Sequence, residues 1–367
     1  MTPKAAIRAC ADRLQQAFVA DGATPVETDI LLPAETLLDL YGEDIRARAY
    51  VTSDPLRGEM MLRPDFTMPV VQMHMDHGAD PARYTYLGEV FRKQEHEGQR
   101  AAEYLQVGYE VFDRETPVVA EAHVFALFAQ ILAPHGLHAA TGDIGILLAA
   151  VEALKTSERR KAALKRHLWR PRRFRTLLDR FGGRKPVADS RARLLKAAAG
   201  GVDMLLDKGG PEIGLRSRTE VAERIAALQA DAAEPPISAA QVDILDHILS
   251  LRETSTNALE VLRDIAVDMP ALGAAVARME ARLNALAKAG IDVAALDFEA
   301  SYGRTTLEYY DGFVFGFYAD GRPDLPPVAT GGRYDALTRV LGQGDGIPAV
   351  GGVIRPELVL TLTEGRA

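Results

Sequence analysis

A single cysteine, Cys10, stands in 367 residues, together with a single tryptophan, Trp169. That scarcity excludes an internal disulfide framework and a zinc site built from several thiolates, and it points to a reducing compartment. Cys10 itself reads as a small hydrophobe on a first helix. Long apolar runs are also missing: none approaches the ~18 to 20 consecutive residues that a membrane span requires. From Thr2 to Phe18, Ile7, Leu14 and Phe18 alternate with Arg8, Asp12 and Arg13, the pattern of an amphipathic helix and not of a secretion signal. A cytoplasmic location is the expectation. Positive charge is in deficit, with 43 Lys and Arg against 51 Asp and Glu for a net −8. The chain as a whole therefore has no general attraction for nucleic acid, although a local basic patch stays compatible with it. The glycines form neither a dinucleotide fingerprint nor a P-loop. His74, His77 and His96 lack metal-ligand spacing, so no metal is assigned, and no Ser/His/Asp arrangement is specified.

What is present is an ordinary globular composition, 47% hydrophobic and 26% charged, long enough for two domains or for one large domain with an insertion. From Val26 to about Phe112 the text is strand-like, with runs at 28–33, 49–52 and 60–64 and longer ones starting at Tyr84 and Tyr104. Lys93 to Glu103 is too polar for a core and too long for a tight turn, which predicts a mobile charged loop inside an antiparallel hairpin. After AspIleGlyIleLeu at 143–147, read as a strand, the chain from Ala149 to about Ala289 becomes rich in Ala, Leu, Arg and Glu with helical periodicity. ProProIleSer at 235–238 interrupts it, with Ser238 placed to cap the helix that follows. Strand character returns in LeuGluTyrTyrAspGlyPheValPheGlyPheTyrAla at 307–319, before GlyGlyArgTyrAsp at 331–335, read as a turn. A sheet that begins before the helical block and resumes after it predicts one discontinuous α+β domain, residues 1–148 and 295–367, with a mainly helical insertion at 149–294.

Strand parity selects the residues able to carry chemistry. In the run at 104–112, Gln106, Gly108 and Glu110 share one face and Leu105, Val107, Tyr109 and Val111 the other. The glycine between two polar residues is expected to clear a space. A carboxylate on an apolar strand is costly to bury unless a cation or several donors meet it. Glu110 is therefore a candidate contact for a ligand ammonium, with an internal Glu–Arg pair or a solvent-facing strand as the alternatives. In 307–319 the even face reads Glu308, Tyr310, Gly312, Val314, Gly316, Tyr318, and glycines beside a tyrosine mark either a ligand's approach or tight sheet packing. Asp65 and Thr67 suit a site or merely an N-cap. Arg92, facing the same way as Gly88 and Val90, suits a carboxylate or phosphate. The basic stretch Arg159 to Lys185, which includes Trp169, suits an acidic surface, RNA, or a solvated helix face. Alone, these residues describe a pocket for a small zwitterion and identify no reaction.

Five motifs in order carry a resemblance: LeuArgProAspPheThr (62–67), PheArg (91–92), LeuGlnValGlyTyrGluVal (105–111), LeuGluTyrTyrAspGlyPheValPhe (307–315) and GlyGlyArgTyrAsp (331–335). Together they resemble the histidyl-tRNA synthetase catalytic core and, more closely, the synthetase-like regulatory subunits of ATP phosphoribosyltransferase, over roughly residues 5–150 and 295–362. The resemblance implies a class II synthetase fold, an antiparallel sheet flanked by helices, dimeric, with Pro33 on the interface strand. It places histidine recognition on Asp65, Thr67, Arg92, Gln106, Glu110, Tyr310 and Tyr334. Measured against active synthetases, Thr305 and Leu358 replace arginines, with Arg304 and Arg355 off register. Gln94 replaces an ATP-contact carboxylate, and Ala102 stands where a phosphate-binding arginine belongs. Adenylation depends on such cations to stabilise developing charge. With too few residues after the last motif to hold it, the anticodon-binding domain of about 100 residues, an ordinary domain size, is expected to be absent.

What the resemblance implies is a subunit without catalytic residues or cofactors of its own. It would partner the short-form catalytic subunit in the first step of histidine biosynthesis, be required for that subunit's activity, and take part in feedback inhibition by histidine. The expected assembly is a homodimer within a hetero-oligomer, a hetero-octamer, with Mg, ATP and phosphoribosyl pyrophosphate confined to the partner and no nucleic acid or membrane involved. Effector histidine would sit in the synthetase-like pocket or at the subunit interface. The alternative is an amino-acid-activating synthetase paralogue that serves a non-tRNA acceptor.

Overall fold

The computed structural model describes residues 3–35, 38, 45–93, 101–209, 214–304 and 309–364. They fall into two compact units, one made of residues 1–147 with 250–367 and the other of residues 148–249. In chain order the strands, all in the first unit, are β1 (Thr24–Pro25), β2 (Leu31–Pro33), β3 (Val51–Asp54), β4 (Gly58–Leu62), β5 (Ala82–Phe91), β6 (Glu103–Phe112), β7 (His138–Asp143), β8 (Arg252–Thr254), β9 (Asp297–Glu299), β10 (Phe313–Tyr318), β11 (Ala329–Arg333) and β12 (Ala349–Ile354). A small sheet orders β2-β4-β3, and the main sheet orders β1-β5-β6-β12-β11-β10-β7-β9-β8. The six strands from β5 to β7 pair antiparallel, while β1 joins β5 and β9 joins β7 in parallel.

Residues paired across antiparallel strands lie on the same side of a sheet, so register divides this sheet into two unlike faces. One face carries aromatics. Phe313, Phe315 and Phe317 of β10 meet Phe125 and Phe128 of the helix Pro117–Leu132, with centroid separations of 5.3 to 6.1 Å. On that side too, Phe18 of the helix Lys4–Ala20 stacks on Tyr109 at 5.1 Å. This first helix buries Cys10, Leu14 and Phe18, as expected, together with Ala11, while Ile7 is half-buried. The segment Pro117–His135 is long and apolar enough to cross a membrane by length and composition, which scanning for unbroken apolar runs overlooks. In this fold it packs on the sheet through Phe125 and Phe128.

The other face is a band of glycines, one in each of six adjacent strands: Gly88, Gly108, Gly351, Gly332, Gly316 and Gly142. The helix Thr67–His77 lies over this side, with His74 stacked on Phe112 at 3.8 Å. A buried charge network crosses the unit. Arg282 of the helix Gly273–Lys288 is 3% exposed, and it donates to Glu121 at 2.9 Å and to Asp143 at 2.6 Å. Arg333 donates to the other Glu121 oxygen at 2.8 Å and also to Asp335.

Several boundaries differ from those read in the sequence. Residues 250–294, which composition groups with the helical insertion, belong to the first unit, because Arg282 can be buried only where Glu121 and Asp143 meet it. The strand read at 143–147 lies at His138–Asp143 instead. Asp143 accepts from the Gly145 backbone at 2.8 Å, which favours a helix start, and Ile144–Glu152 is helical. GlyGlyArg at 331–333 is strand and not turn, since it pairs antiparallel with β10 on one side and β12 on the other, and a Cβ on Gly331 would lie 2.3 Å from the Phe315 ring. The strand read at 307–319 begins at Phe313, so Tyr310 and Gly312 precede it, and Glu308 lies outside the described residues. The β5–β6 hairpin is present; residues 94–100 of its charged connection lie outside the described residues.

The second unit is helical. Its helix Pro171–Phe181 buries Phe174, Leu177, Leu178 and Phe181. Arg160, 6% exposed, is fixed by Asp231 at 2.7 Å and by the Pro235 carbonyl at 2.7 Å. Ser238 accepts from the Gln241 backbone at 3.3 Å, as expected for a cap of the helix Ala239–Ser250. Breaking a buried ion network by removing one member leaves charge uncompensated. Arg282→Met is accordingly expected to destabilise the fold by about 3–5 kcal/mol, read as a lowered urea midpoint; an unchanged midpoint would show that Glu121 and Asp143 do not depend on it.

Candidate functional site

Glu110 sits in the middle of β6, in the glycine band, at 1% exposure. No ion pair reaches it among the described residues. Its Oε1 accepts from Thr67 Oγ1 at 3.0 Å and Tyr86 OH at 2.9 Å, and its Oε2 accepts from Tyr334 OH at 2.6 Å. Neither alternative drawn from the strand pattern holds, for the carboxylate is neither paired with arginine nor turned to solvent. Three hydroxyls stand in for a counter-ion. They offset burial only in part, and desolvation, with nearby Asp65 acting the same way, pushes Glu110 up to about 7. Around neutral pH it therefore exchanges between acid and carboxylate.

Glycines make this arrangement possible, although not by leaving space empty. A Cβ at Gly108 would lie 2.1 Å from the Tyr86 ring, and one at Gly351 would fall 1.5 Å from Glu110 Oε2. The space cleared beside Glu110 is thus occupied by the protein's own tyrosine. Tyr86 also stacks on Phe66 at 4.4 Å, and Arg63 covers the Phe66 ring at 3.9 Å while donating to the Thr28 and Glu89 carbonyls.

The remaining expected residues gather nearby to different degrees. Thr67 opens its helix without capping it, since Phe66 holds the N-cap position and no side chain caps there; its hydroxyl turns to Glu110 instead. Tyr310 is buried with its ring against Gly332, where a Cβ would come within 2.8 Å. Burial raises its hydroxyl pKa, Glu110 and Asp65 add to that rise, and Arg92 opposes it, which places all four in one electrostatic neighbourhood. Arg92 is half-buried and its Nε donates to the Pro64 carbonyl at 2.7 Å. Asp65 is 4% exposed and Gln106 1% exposed. The Gln106 Oε1 has no hydrogen-bond donor among the described residues, a position that a ligand N–H would satisfy. Asp311 fastens the two tyrosine-bearing segments together, accepting from the Asp335 and Ala336 backbones at 3.0 and 2.7 Å while donating its own N–H to the Arg333 carbonyl at 3.0 Å.

Two contributors escape the single-strand pattern. Tyr86 was detectable only through hairpin register, which sets it opposite Gly108. Tyr309, whose hydroxyl donates to Thr67 at 3.4 Å, has no comparable signal. Pro33 ends β2, is exposed, and pairs with Met60. Of the positions where cations are absent, Thr305 and Gln94 lie outside the described residues. Leu358 is on the helix Pro356–Glu364, and the Ala102 carbonyl accepts from the Arg92 backbone at 2.8 Å. Arg355 donates to the Pro327 carbonyl at 2.6 Å, and Arg304 is 6% exposed. On the aromatic side, a separate crevice of about 450 Å³ is lined by Asp21, His123, Leu127, Gln130 and Ile291 among others; Asp21 there accepts from Tyr109 at 2.6 Å. It shares no residue with the Glu110 cluster.

A family model described as histidyl-tRNA synthetase matches residues 2–211 and 215–359. The ATP phosphoribosyltransferase regulatory subunit of Rhizobium rhizogenes is 32% identical over 350 residues, covering 91% of this chain and 92% of that protein. The protein of that name from Brucella anthropi is 33% identical over 341 residues, 89% of each. This chain belongs to the family of ATP phosphoribosyltransferase regulatory subunits. Its fold is that of class II, histidyl-tRNA synthetase-like proteins. A Bacillus halodurans structure described as an ATP phosphoribosyltransferase regulatory subunit/histidyl-tRNA synthetase matches with TM-score 0.67 at 20% identity, over 98% of this chain and 79% of that one. Histidyl-tRNA synthetase from a Nostoc species matches at 0.64 and 17% identity, over 99% and 72%.

Within this family member, Gly108→Ala is expected to drive a methyl into Tyr86 and destabilise by about 1–3 kcal/mol, measured by urea unfolding. Glu110 yields a signed pH dependence. Its folded pKa lies near 7 against an ordinary value of 4.5, so the folded state holds more protons between those limits and loses stability as pH rises through them. Glu110→Gln removes that loss, and its stability relative to wild type should improve between pH 5 and 8 by on the order of 2–3 kcal/mol. Asp311 and His74 titrate alike in both proteins and cancel. A difference that stays constant with pH would refute the raised pKa.

Proposed function

We propose that this chain is a non-catalytic subunit that assembles with the short-form catalytic subunit of ATP phosphoribosyltransferase, is required for its activity, and conveys feedback inhibition by histidine. The observation that carries the histidine reading is the buried, cation-free Glu110 beside the unsatisfied amide oxygen of Gln106. Glu110 and Gln106 take the amino group, Arg92 takes the carboxylate or a nearby anion, and Tyr310 and Tyr334 face the imidazole, with Asp65 and Thr67 completing the wall. A carboxylate with three donors retains acceptor capacity for one more, and a ligand ammonium supplies the positive charge that the three hydroxyls lack. Joining ATP to phosphoribosyl pyrophosphate, with release of pyrophosphate, belongs to the catalytic partner, together with its Mg. Leucine at 358 and alanine at 102 support the absence of adenylation, since neither side chain can stabilise phosphate charge.

Histidine regulates only if it binds the inhibited assembly more tightly than the active one, because equal affinity shifts nothing. The assembly we propose is cytoplasmic, a homodimer joined along the strand of Pro33 and built into a hetero-octamer. A second reading, a synthetase paralogue that activates an amino acid for a non-tRNA acceptor, draws on Arg304, buried just before the tyrosine motif.

Calorimetry of histidine with the full chain and with Glu110→Gln, beside histidine-driven pyrophosphate exchange on the same samples, separates these readings. Binding that is lost in the variant, with no exchange, is the expected result. Exchange would establish the enzyme, and absence of binding would move the effector to the subunit interface. Because Glu110 must be ionised to meet an ammonium, wild-type affinity should also strengthen as pH rises through about 7.

A further inference from the structure

Charge is divided unevenly along this chain. Residues 148–249 carry 20 Lys and Arg against 13 Asp and Glu, a net +7, whereas the remaining residues carry 23 against 38, a net −15. Within the second unit many arginines are locally neutralised. Arg160 and Arg191 share Asp231, Arg175 pairs with Asp246, and Arg184 pairs with both Asp243 and Asp246. Arg159, Arg166, Arg172 and Arg173 differ: all four are exposed, and none has an ion pair among the described residues.

Two of the four lie on one helix and two on the next. Arg159 and Arg166 are seven residues apart on the helix Glu158–Arg166, hence on one side of it. The chain then turns through His167 to Arg170 into the helix Pro171–Phe181. Arg166, Arg170 and Arg173 converge on His167, and their three positive charges reinforce burial in holding its imidazole below the ordinary range. Phe174, Leu177, Leu178 and Phe181 fasten the opposite side of that helix into the unit, so Arg172 and Arg173 are held outward. Trp169, in the connection between the two helices, is half-buried, with its Nε1–H turned inward.

A merely solvated helix face intersperses acids at three- and four-residue spacing to relieve repulsion. Here that relief is missing, and what is presented instead is arginine with tryptophan, the pair enriched where interfaces concentrate their energy. We propose that this face docks an acidic, carboxylate-bearing surface of the catalytic subunit, whose side chains pair with Arg159, Arg166, Arg172 and Arg173. A protein surface is favoured over nucleic acid because the chain's overall charge of −8 repels an extended polyanion at a distance, whereas a compact patch suits a local cluster of carboxylates. The proposal rests on the regulatory-subunit reading above and names the surface through which it operates.

The test measures assembly of the full-length chain with the catalytic subunit by sedimentation, at about 50 mM and about 300 mM salt. Wild type should assemble, more weakly at the higher salt. Arg172→Glu combined with Arg173→Glu should weaken assembly by about tenfold or more and flatten its salt dependence, whereas Arg172→Lys with Arg173→Lys should keep most of both. Histidine binding and the unfolding midpoint should stay at wild-type values in all variants, which separates docking from misfolding. Assembly of the charge-reversed variant at wild-type strength would overturn the docking proposal and leave the regulatory reading intact. Loss of RNA binding in that variant with assembly unchanged would reassign the face to nucleic acid. Wild type that does not assemble at all would instead remove the regulatory reading, and the proposal with it.

Discussion

Six neighbouring strands each place a glycine on the same side of the sheet, and the architecture of the site follows from that constraint. Without Cβ atoms along the band, Tyr86, Glu110, Tyr310 and the Arg63–Phe66 pair lie directly against backbone, at separations that any larger residue would abolish. The opposite face, dense with phenylalanine, supplies the ordinary hydrophobic anchorage that holds the strands in register. One side of the sheet therefore provides cohesion, and the other is released to arrange polar groups in a dry environment.

The chief product of that release is a carboxylate solvated by hydroxyls. An arginine partner would have lowered the Glu110 pKa and satisfied its charge internally, leaving little reason to bind anything. Thr67, Tyr86 and Tyr334 instead orient both oxygens without cancelling the charge. This raises the free energy of the ionised form, and a cationic ligand can offset that strain. The fold accepts a modest loss of stability at neutral pH at this one buried group. Such trades are typical of functional positions.

Charge elsewhere in the first unit is treated in the opposite manner. Arg282 and Arg333 are met by Glu121, Asp143 and Asp335 in close contacts that knit together helices and strands distant in sequence. Through Asp311, this network adjoins the segments that carry Tyr310 and Tyr334, so helix placement and tyrosine placement share a mechanical frame. The two treatments of charge lie side by side. One is compensated by ion pairs, the other is met only by hydroxyls.

The sequence by itself determined the class of fold, the strand and helix blocks, and most of the residues that converge. Alternation around Gln106, Gly108 and Glu110 marks a polar face on an apolar strand, and five ordered motifs tie that face to the synthetase-like family. Local pattern could not locate the end of the helical insertion. Residues 250–294 are helical in composition either way, and only the carboxylates that receive Arg282 assign them to the first unit. Nor could parity within one strand reveal that the room beside Gly108 is taken by Tyr86, since that depends on register with a second strand. Which donors would meet Glu110 was likewise decided by tertiary structure alone. Thr67, Tyr86 and Tyr334 come from a helix start, a neighbouring strand and a distant strand end, and hydrogen bonds between such elements follow from how the chain packs and not from the order of its residues.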